Sequence, residues 1–436
     1  MDYPDASPGS DMRIESTALP MLNLRRFRLA TSAFSIGMIC LHLLVFWMAR
    51  HQVTAGLPDF RIFYTAGLMI RRGQAHILYN DDVQLTTQRE FVSPEFPLED
   101  PLPYNHPPFE ALLYVPFTHL PYLPAYSLWF LVNLGLLAVA IHVIRPWVPT
   151  LASQFAGPLL LIPLAFFPVA YALMQGQDSI LLMVLYCLSY AAFRRRQAMR
   201  AGIYLGLGLF KFHLVLPFAF ILLLKRQWRA LVGVVLSASS EIAVSLALVG
   251  WKELLEYPRY AWHVNRRRLT FVIAPENMPN LRGLLTGWSG LGEARLWLEL
   301  ALIIVSFALL VWAARQWKTA DVINPAVWDA GISVSMIATF LVGYHGYNQD
   351  LSILLLPLLL TIEHALQDDG IKVRTALQVS LGLMFLSPLY LALTLRYMHQ
   401  NLYALVLLSL AASIAASSTQ LQMARRHTER NSVSVG

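Results

Sequence analysis

Runs of about 20 apolar residues, each ended by a short polar or basic stretch, recur down the whole chain, and a run of that length crosses a bilayer as one helix. The pattern predicts spans at 29–49, 122–144, 155–174, 179–193, 231–249, 295–314, 327–343, 351–366, 375–395 and 401–421. The run at 201–224 is different, because Lys211, His213 and Pro217 interrupt it. A single crossing would leave Lys211 in mid-bilayer at a cost of about 3 kcal/mol or more. Two half-length helices that rise to Lys211 and return avoid that cost if protein surrounds them.

Charge supports the return. Arg194, Arg195, Arg196 and Arg200 precede the run, and Lys225, Arg226 and Arg229 follow it. Basic clusters stay on the cytoplasmic side of a membrane. With the run counted as two segments there are about 12 in all, both termini are cytoplasmic, and Arg145, Arg315, Lys318, Lys372, Arg374, Arg425 and Arg426 fall on the same side. The opposite side then receives Asp59, Asn105, His106, the turn at 175–178, Lys211 with His213, a large outer loop at 250–294 and the loop at 344–350.

Between the first two spans, residues 51–121 form a first outer loop with two helix-like pieces. In the earlier one Phe60, Phe63, Tyr64, Gly67 and Leu68 share a helical face, which predicts a helix lying along the membrane surface. The later one, 81–91, is mostly polar and reads as a solvated helix. Pro101, Pro103, Pro107 and Pro108 then frame Tyr104, Asn105 and His106, fixing the backbone on both sides of them.

Composition agrees with an all-α polytopic integral membrane protein: 56% of residues are hydrophobic, 14% are charged and the mean hydropathy is +0.51. The net charge of +7 lies in the clusters between spans, so it gives no reason to expect nucleic acid as a partner. Cys40 and Cys187 both sit in apolar runs and offer no disulfide framework. Residues 1–28 read as a disordered cytoplasmic tail, 29–421 as one transmembrane domain with an uncleaved first span, and 422–436 as a second cytoplasmic tail. The polar rim is expected to face the outside, opposite the basic clusters.

The chemistry is carried by polar groups stranded in this apolar chain. Asp59 stands at the start of the 60–71 helix, where it either caps that helix or takes a proton from an acceptor hydroxyl. Asn105 and His106 beside the Tyr104 ring suit a sugar, with donors for its hydroxyls and an aromatic face for its C–H surface. Gln177 and Asp178 exceed what a tight Gly176 turn requires. Lys211 needs an anion, and a lipid phosphate is one. Arg266, Arg267 and Arg268, in a loop rich in Trp, Tyr and Asn (Asn277, Asn280), run against the charge rule and suit the same phosphate. His345, Asn348 and Asp350 make the densest polar group of the second half, and Tyr64 joins the sugar and acceptor candidates. The histidines lack zinc spacing, no acidic pair is evident, and phosphate-loop and dinucleotide fingerprints are absent, so no metal and no cofactor is expected.

Asp59-Phe60-x-x-Phe63-Tyr64-x-Ala66, Leu78-Tyr79, Tyr104 with Pro107-Pro108, Gly176-Gln177, Lys211, the segment 277–283 and the loop 345–350 occur in an order that resembles glycosyltransferase family 87, over about residues 30 to 420. The resemblance implies the GT-C membrane fold and an inverting alpha-mannosyltransferase that takes its hexose from a polyprenyl-phosphate donor, without a nucleotide. It implies Asp59 as the catalytic aspartate and His345 as the second-half histidine. The chain departs from the family pattern at Asp178, where asparagine is more usual, which leaves acceptor and sugar open. The partners expected are the lipid-linked donor, a lipid or glycan acceptor and membrane lipids. A lipid-sugar transporter or flippase, and a glycan polymerase or ligase, are the rival readings.

Overall fold

The computed structural model describes residues 21–154, 159, 161–266, 275–289, 296–318, 325–367, 375–398 and 401–433. Its regular elements are all helical among these residues. The first is α1 (Met21–Thr54), which starts ahead of the expected span. The segment that follows folds as α2 (Phe60–Arg71), α3 (Asp81–Arg89) and α4 (Pro108–Tyr114) before the long apolar α5 (Tyr122–Ile144). After α6 (Pro149–Gln154), the predicted 155–174 span is interrupted: α7 (Leu161–Ala165) and α8 (Phe167–Gln175) meet at an extended Phe166. Pro163 and Pro168 explain that interruption, since neither can donate a helical N–H.

The chain continues through α9 (Ser179–Arg194), α10 (Ala198–Gly206), α11 (Phe212–Leu224) and the long α12 (Trp228–Arg266). Among the described residues, α10 and α11 are bent by 61° at their break. Their return is shown by packing. A Cβ on Gly202 would lie 1.8 Å from the Ala230 carbonyl oxygen, and one on Gly206 would lie 3.0 Å from Val234 Cα. The pairing 202 with 230 and 206 with 234 is a parallel register, so α10 and α12 start at one level and α11 must come back to it. The 201–224 run is therefore a re-entrant pair with Lys211 near its apex, as its charge pattern predicts. Nine residues of α10 rise only about 13 Å, less than half a bilayer core.

Beyond Gly250, whose φ is 77°, α12 changes direction, so the second outer loop opens on a helix. That helix leaves Trp251, Leu255 and Trp262 exposed and packs Tyr257 and Tyr260 on Tyr79. The second half comprises α13 (Leu281–Ser289), α14 (Leu296–Gln316), α15 (Pro325–Val342), α16 (Leu355–Leu366), α17 (Thr375–Phe385), α18 (Ser387–Met398) and α19 (Tyr403–Val433). A bend of 76° at Leu386 divides the predicted 375–395 span, one residue before the Ser387-Pro388 step. The last helix runs on to Val433, past the expected end of the domain at 421.

The protein is thus a polytopic helical membrane protein, and the expected count of 12 segments is not confirmed among the described residues. Among the described residues seven helices are long and apolar enough to cross a bilayer, or nine if each bent pair is one span. Several apolar runs are broken into half-length pieces.

Helix α2 corrects another expectation. It does not lie on lipid with one wet face, because Phe60 and 62–69 are all buried. Phe63 stacks on Tyr114 at 4.6 Å, and Phe60 meets Tyr114, Tyr122 and Tyr126. Each fully buried ring contributes on the order of 2–3 kcal/mol, which fixes the helix and the residue before it. At the other end of the bundle Arg194 and His364 hold the buried Asp329, and Glu363 accepts from the first amides of α6.

Candidate active site

The amino end of α2 sets the position of Asp59. Its backbone is helical and its carboxylate makes no cap hydrogen bond, so the capping reading is removed. Instead Gln177 Nε2 donates to Asp59 Oδ2 at 2.7 Å, and the Asp59 amide donates to Gln175 Oε1 at 3.1 Å. The turn between α8 and α9 carries both glutamines, and Gly176 makes it possible. Gly176 has φ 64° and a Cβ there would lie 2.7 Å from Phe60 Cβ. A side chain would be strained by the left-handed backbone and would push Phe60, and with it Asp59, away.

Asp59 lines a cavity of about 110 Å³ with Asn105, His106, Gln177, Lys211, His213, His345, Tyr347, Gln349 and Asp350. Five stretches far apart in sequence converge there, as the charge-based orientation predicts. Lys211 is the electrostatic centre. Its ammonium donates to Asp350 Oδ1 at 2.6 Å, Ser179 Oγ at 3.1 Å and Gln177 Oε1 at 3.3 Å, and lies 2.9 Å from Asp178 Oδ1. Three protons thus meet four acceptors, two of them carboxylates. Asp350 is held further by Ser179 Oγ at 2.7 Å and the Tyr347 amide at 2.9 Å.

Behind the cavity wall His106, Glu110 and Asp178 bring their ligating atoms within 4.8 Å of one another. His106 Nδ1 lies 2.8 Å from Glu110 Oε2. Such a set can hold a cation, but Lys211 already supplies a positive charge to Asp178. Two buried carboxyls this close share a proton. Burial, then the neighbouring Asp178, pushes Glu110 well up. Burial would also raise Asp178, but Lys211 and the bond from Glu110 bring it below its ordinary value. The proton therefore rests on Glu110. The sequence hides this pair, because Glu110 and Asp178 are 68 positions apart, although a histidine and a glutamate four positions apart around Pro107-Pro108, His106 and Glu110, were a visible signal.

Burial drives His106 down to about 4, and burial with His213 nearby drives His345 well below the usual histidine range. Both rings are neutral near pH 7. Burial raises Asp59, against the pull of Gln177, Arg61 and Lys211. A carboxylate with a raised pKa is a stronger base.

Other candidates sit elsewhere. The Tyr64 hydroxyl donates to Leu120 O, and Tyr104 is fully buried with its hydroxyl on Pro107 O, so neither reaches the cavity. Asn280 is buried between Gly343 O and the Gly283 amide, where it ties α13 to the loop carrying His345. The Asn401 amide bridges Asn277 O and Asn348 Oδ1. The Arg266 side chain, Arg267 and Arg268 lie outside the described residues. Ser179, Gln349 and Glu110 belong to the site or its support and went unrecognised in the sequence.

Fold and cavity define an integral membrane protein with a carboxylate, amide and imidazole pocket. The sequence model of glycosyltransferase family 87 matches residues 104–343, more than half of the chain, and the protein belongs to that family. The match spans Gln177, Asp178 and Lys211 and leaves Asp59 and His345 outside it. Similar curated proteins include the Alpha-(1->3)-arabinofuranosyltransferases of two Mycobacterium tuberculosis strains, CDC 1551 / Oshkosh and ATCC 25618 / H37Rv. Each is 28% identical over 316 residues, covering 70% of this chain and 65% of theirs. The chain thus spans just under two thirds of the length of these relatives. No solved structure gives a significant match.

Proposed function

We propose that this protein is a membrane glycosyltransferase that moves one sugar from a polyprenyl-phosphate donor to a hydroxyl of a lipid or glycan acceptor. The observation that carries the reading is Asp59: a half-buried carboxylate, free of any capping role, held by Gln177 at 2.7 Å at the edge of a polar cavity. In the reaction the acceptor O–H gives its proton to Asp59, the acceptor oxygen bonds to the anomeric carbon, and the bond from that carbon to the phosphate oxygen breaks. The electron pair leaves with the polyprenyl phosphate. Attack opposite the leaving phosphate inverts the anomeric configuration.

The pocket's charge suits this step. Asp178 and Asp350 hold a single ammonium, Lys211, and Asp59 lines the same cavity. The surplus negative charge favours the positive character that develops at the anomeric carbon. Asn105, His106, Gln177 and His345 contact the sugar, and His345, neutral, orients a hydroxyl by hydrogen bonding.

The family resemblance suggests a hexose, mannose, as the sugar, and the name of the two mycobacterial relatives makes arabinofuranose the second arm. In this reading the pocket faces the outside of the inner membrane and both termini are cytoplasmic. The test is transfer by the purified protein from a panel of synthetic polyprenyl-phosphate sugars, mannose and arabinofuranose included, with and without chelator. Transfer of single sugars from one member, undiminished by chelator, is expected. Sugar-lipid movement across vesicles without any transfer would favour a flippase instead.

A further inference from the structure

The occupied state of Lys211 leaves a question about the lipid phosphate. An anion entering the cavity would meet two carboxylates, Asp59 and Asp350, and an ammonium already bound to Asp350 and to Asp178 behind the wall. The phosphate must therefore be met at the edge. On α2, two residues after Asp59, Arg61 is partly buried, and neither its Nε nor its Nη1 has a hydrogen-bond partner. Its electrostatic neighbours are Tyr122 and Asp59. The Tyr122 hydroxyl is buried and also lacks a partner, whereas the hydroxyls of Tyr64 and Tyr126 are satisfied by Leu120 O and Met174 O.

Two buried guanidinium nitrogens without partners, beside a buried hydroxyl without one, are costly unless something else fills the gap. Its location says what. Tyr122 is the first residue of a membrane-crossing helix, so the pair stands at an end of the apolar layer, near headgroup depth, and is covered by protein in this structure. Arg61 also lies in the first turn of the 12-residue α2, where helix amides favour negative charge. A planar guanidinium binds phosphate oxygens in pairs.

We propose that Arg61 and Tyr122 bind the phosphate of the lipid substrate, on the flank of Asp59 away from the cavity wall that carries Lys211. The proposal rests on the glycosyltransferase reading for the identity of that lipid. The leaving phosphate is held outside the acidic pocket and the sugar reaches into it, with Asp59 at the junction.

The test measures binding of a short-chain prenyl phosphate without sugar to the purified protein in nanodiscs, for the parent, Arg61→Gln, Arg61→Lys and Tyr122→Phe, with thermal unfolding to verify the fold. Arg61→Gln is expected to weaken binding at least tenfold, about 1.4 kcal/mol. Arg61→Lys should recover part of it, Tyr122→Phe should lose a smaller factor, and prenyl alcohol should show no dependence on residue 61. Should Arg61→Gln not fold, the Arg61→Lys and Tyr122→Phe affinities decide. Affinity within twofold of the parent in folded variants would overturn the proposal, as would equal competition by phosphatidylglycerol, which would assign the site to bulk lipid. If no sugar is transferred from any donor yet prenyl phosphate binding still depends on Arg61, the transferase reading fails and the phosphate site stands. If transfer proceeds with an unchanged donor KM in Arg61→Gln, the site fails and the reading stands.

Discussion

Replacing Lys211 by methionine isolates what the ion cluster does. The Lys211 side chain is 4% exposed and touches Asp350 at 2.6 Å and Asp178 at 2.9 Å, with both of these side chains exposed by 3% or less. Solvent screening is therefore small, and removing one member of such a cluster leaves uncompensated buried charge worth about 3–5 kcal/mol. A triple change, Lys211→Met with Asp178→Asn and Asp350→Asn, removes the charge together with its counter-charges. Replacement of a whole buried ion set is often neutral or stabilising, so the triple variant should recover most of the lost stability. Denaturant unfolding in mixed micelles reads the stability, and transfer from the lipid-linked donor reads the function. The expected pattern is a large loss for the single variant, recovery in the triple, and no useful transfer from either. A single variant within about 0.5 kcal/mol of the parent, the ordinary range for inconsequential surface changes, would refute the claim that Lys211 is the centre of the site.

Three further outcomes follow from the geometry. Gly176→Ala meets a left-handed backbone and Phe60 Cβ at 2.7 Å, so it should cost about 1–2 kcal/mol from the backbone alone and lower transfer at least tenfold by displacing Asp59; a fully active variant would contradict that placement. His106 has a folded pKa near 4 against about 6.5 unfolded, so the unfolded chain binds more protons between those values and stability falls as pH drops through that window. The loss is at most about 3 kcal/mol, and a pH series of unfolding curves should flatten in His106→Asn. Transfer should fall as pH drops through the Asp59 pKa, which burial raises, so the acidic limb of kcat against pH should lie above the ordinary carboxylate value of about 3.9.

Much of the site was legible because lipid makes polar residues conspicuous. Asp59, Gln177, Lys211 and Asp350 stood out as misfits in apolar surroundings, and they line or support one cavity. Charge also argued for the break at Lys211, since a single crossing would place Arg200 and Lys225 on opposite sides of the membrane. What the sequence hid was direction. Tyr104 and Asn280 look like binding residues by type, yet their polar atoms turn inward to Pro107 O and Gly343 O. The amphipathic face of α2 was visible, but its cover came from α4 and from Tyr122, more than 40 residues on. The sequence did not settle the span count, because hydropathy measures composition and cannot see where Pro163 or Pro388 divides a run.

The central claim is that the Asp59 carboxylate takes the acceptor proton. The most direct measurement is single-turnover transfer by Asp59→Asn, an isosteric change at a residue that forms no helix cap. The account predicts an intact fold, donor affinity within a few-fold of the parent, and a chemical rate at least about 100-fold lower, the range supplied by a positioned base. A variant that transfers sugar at the parent rate would contradict it.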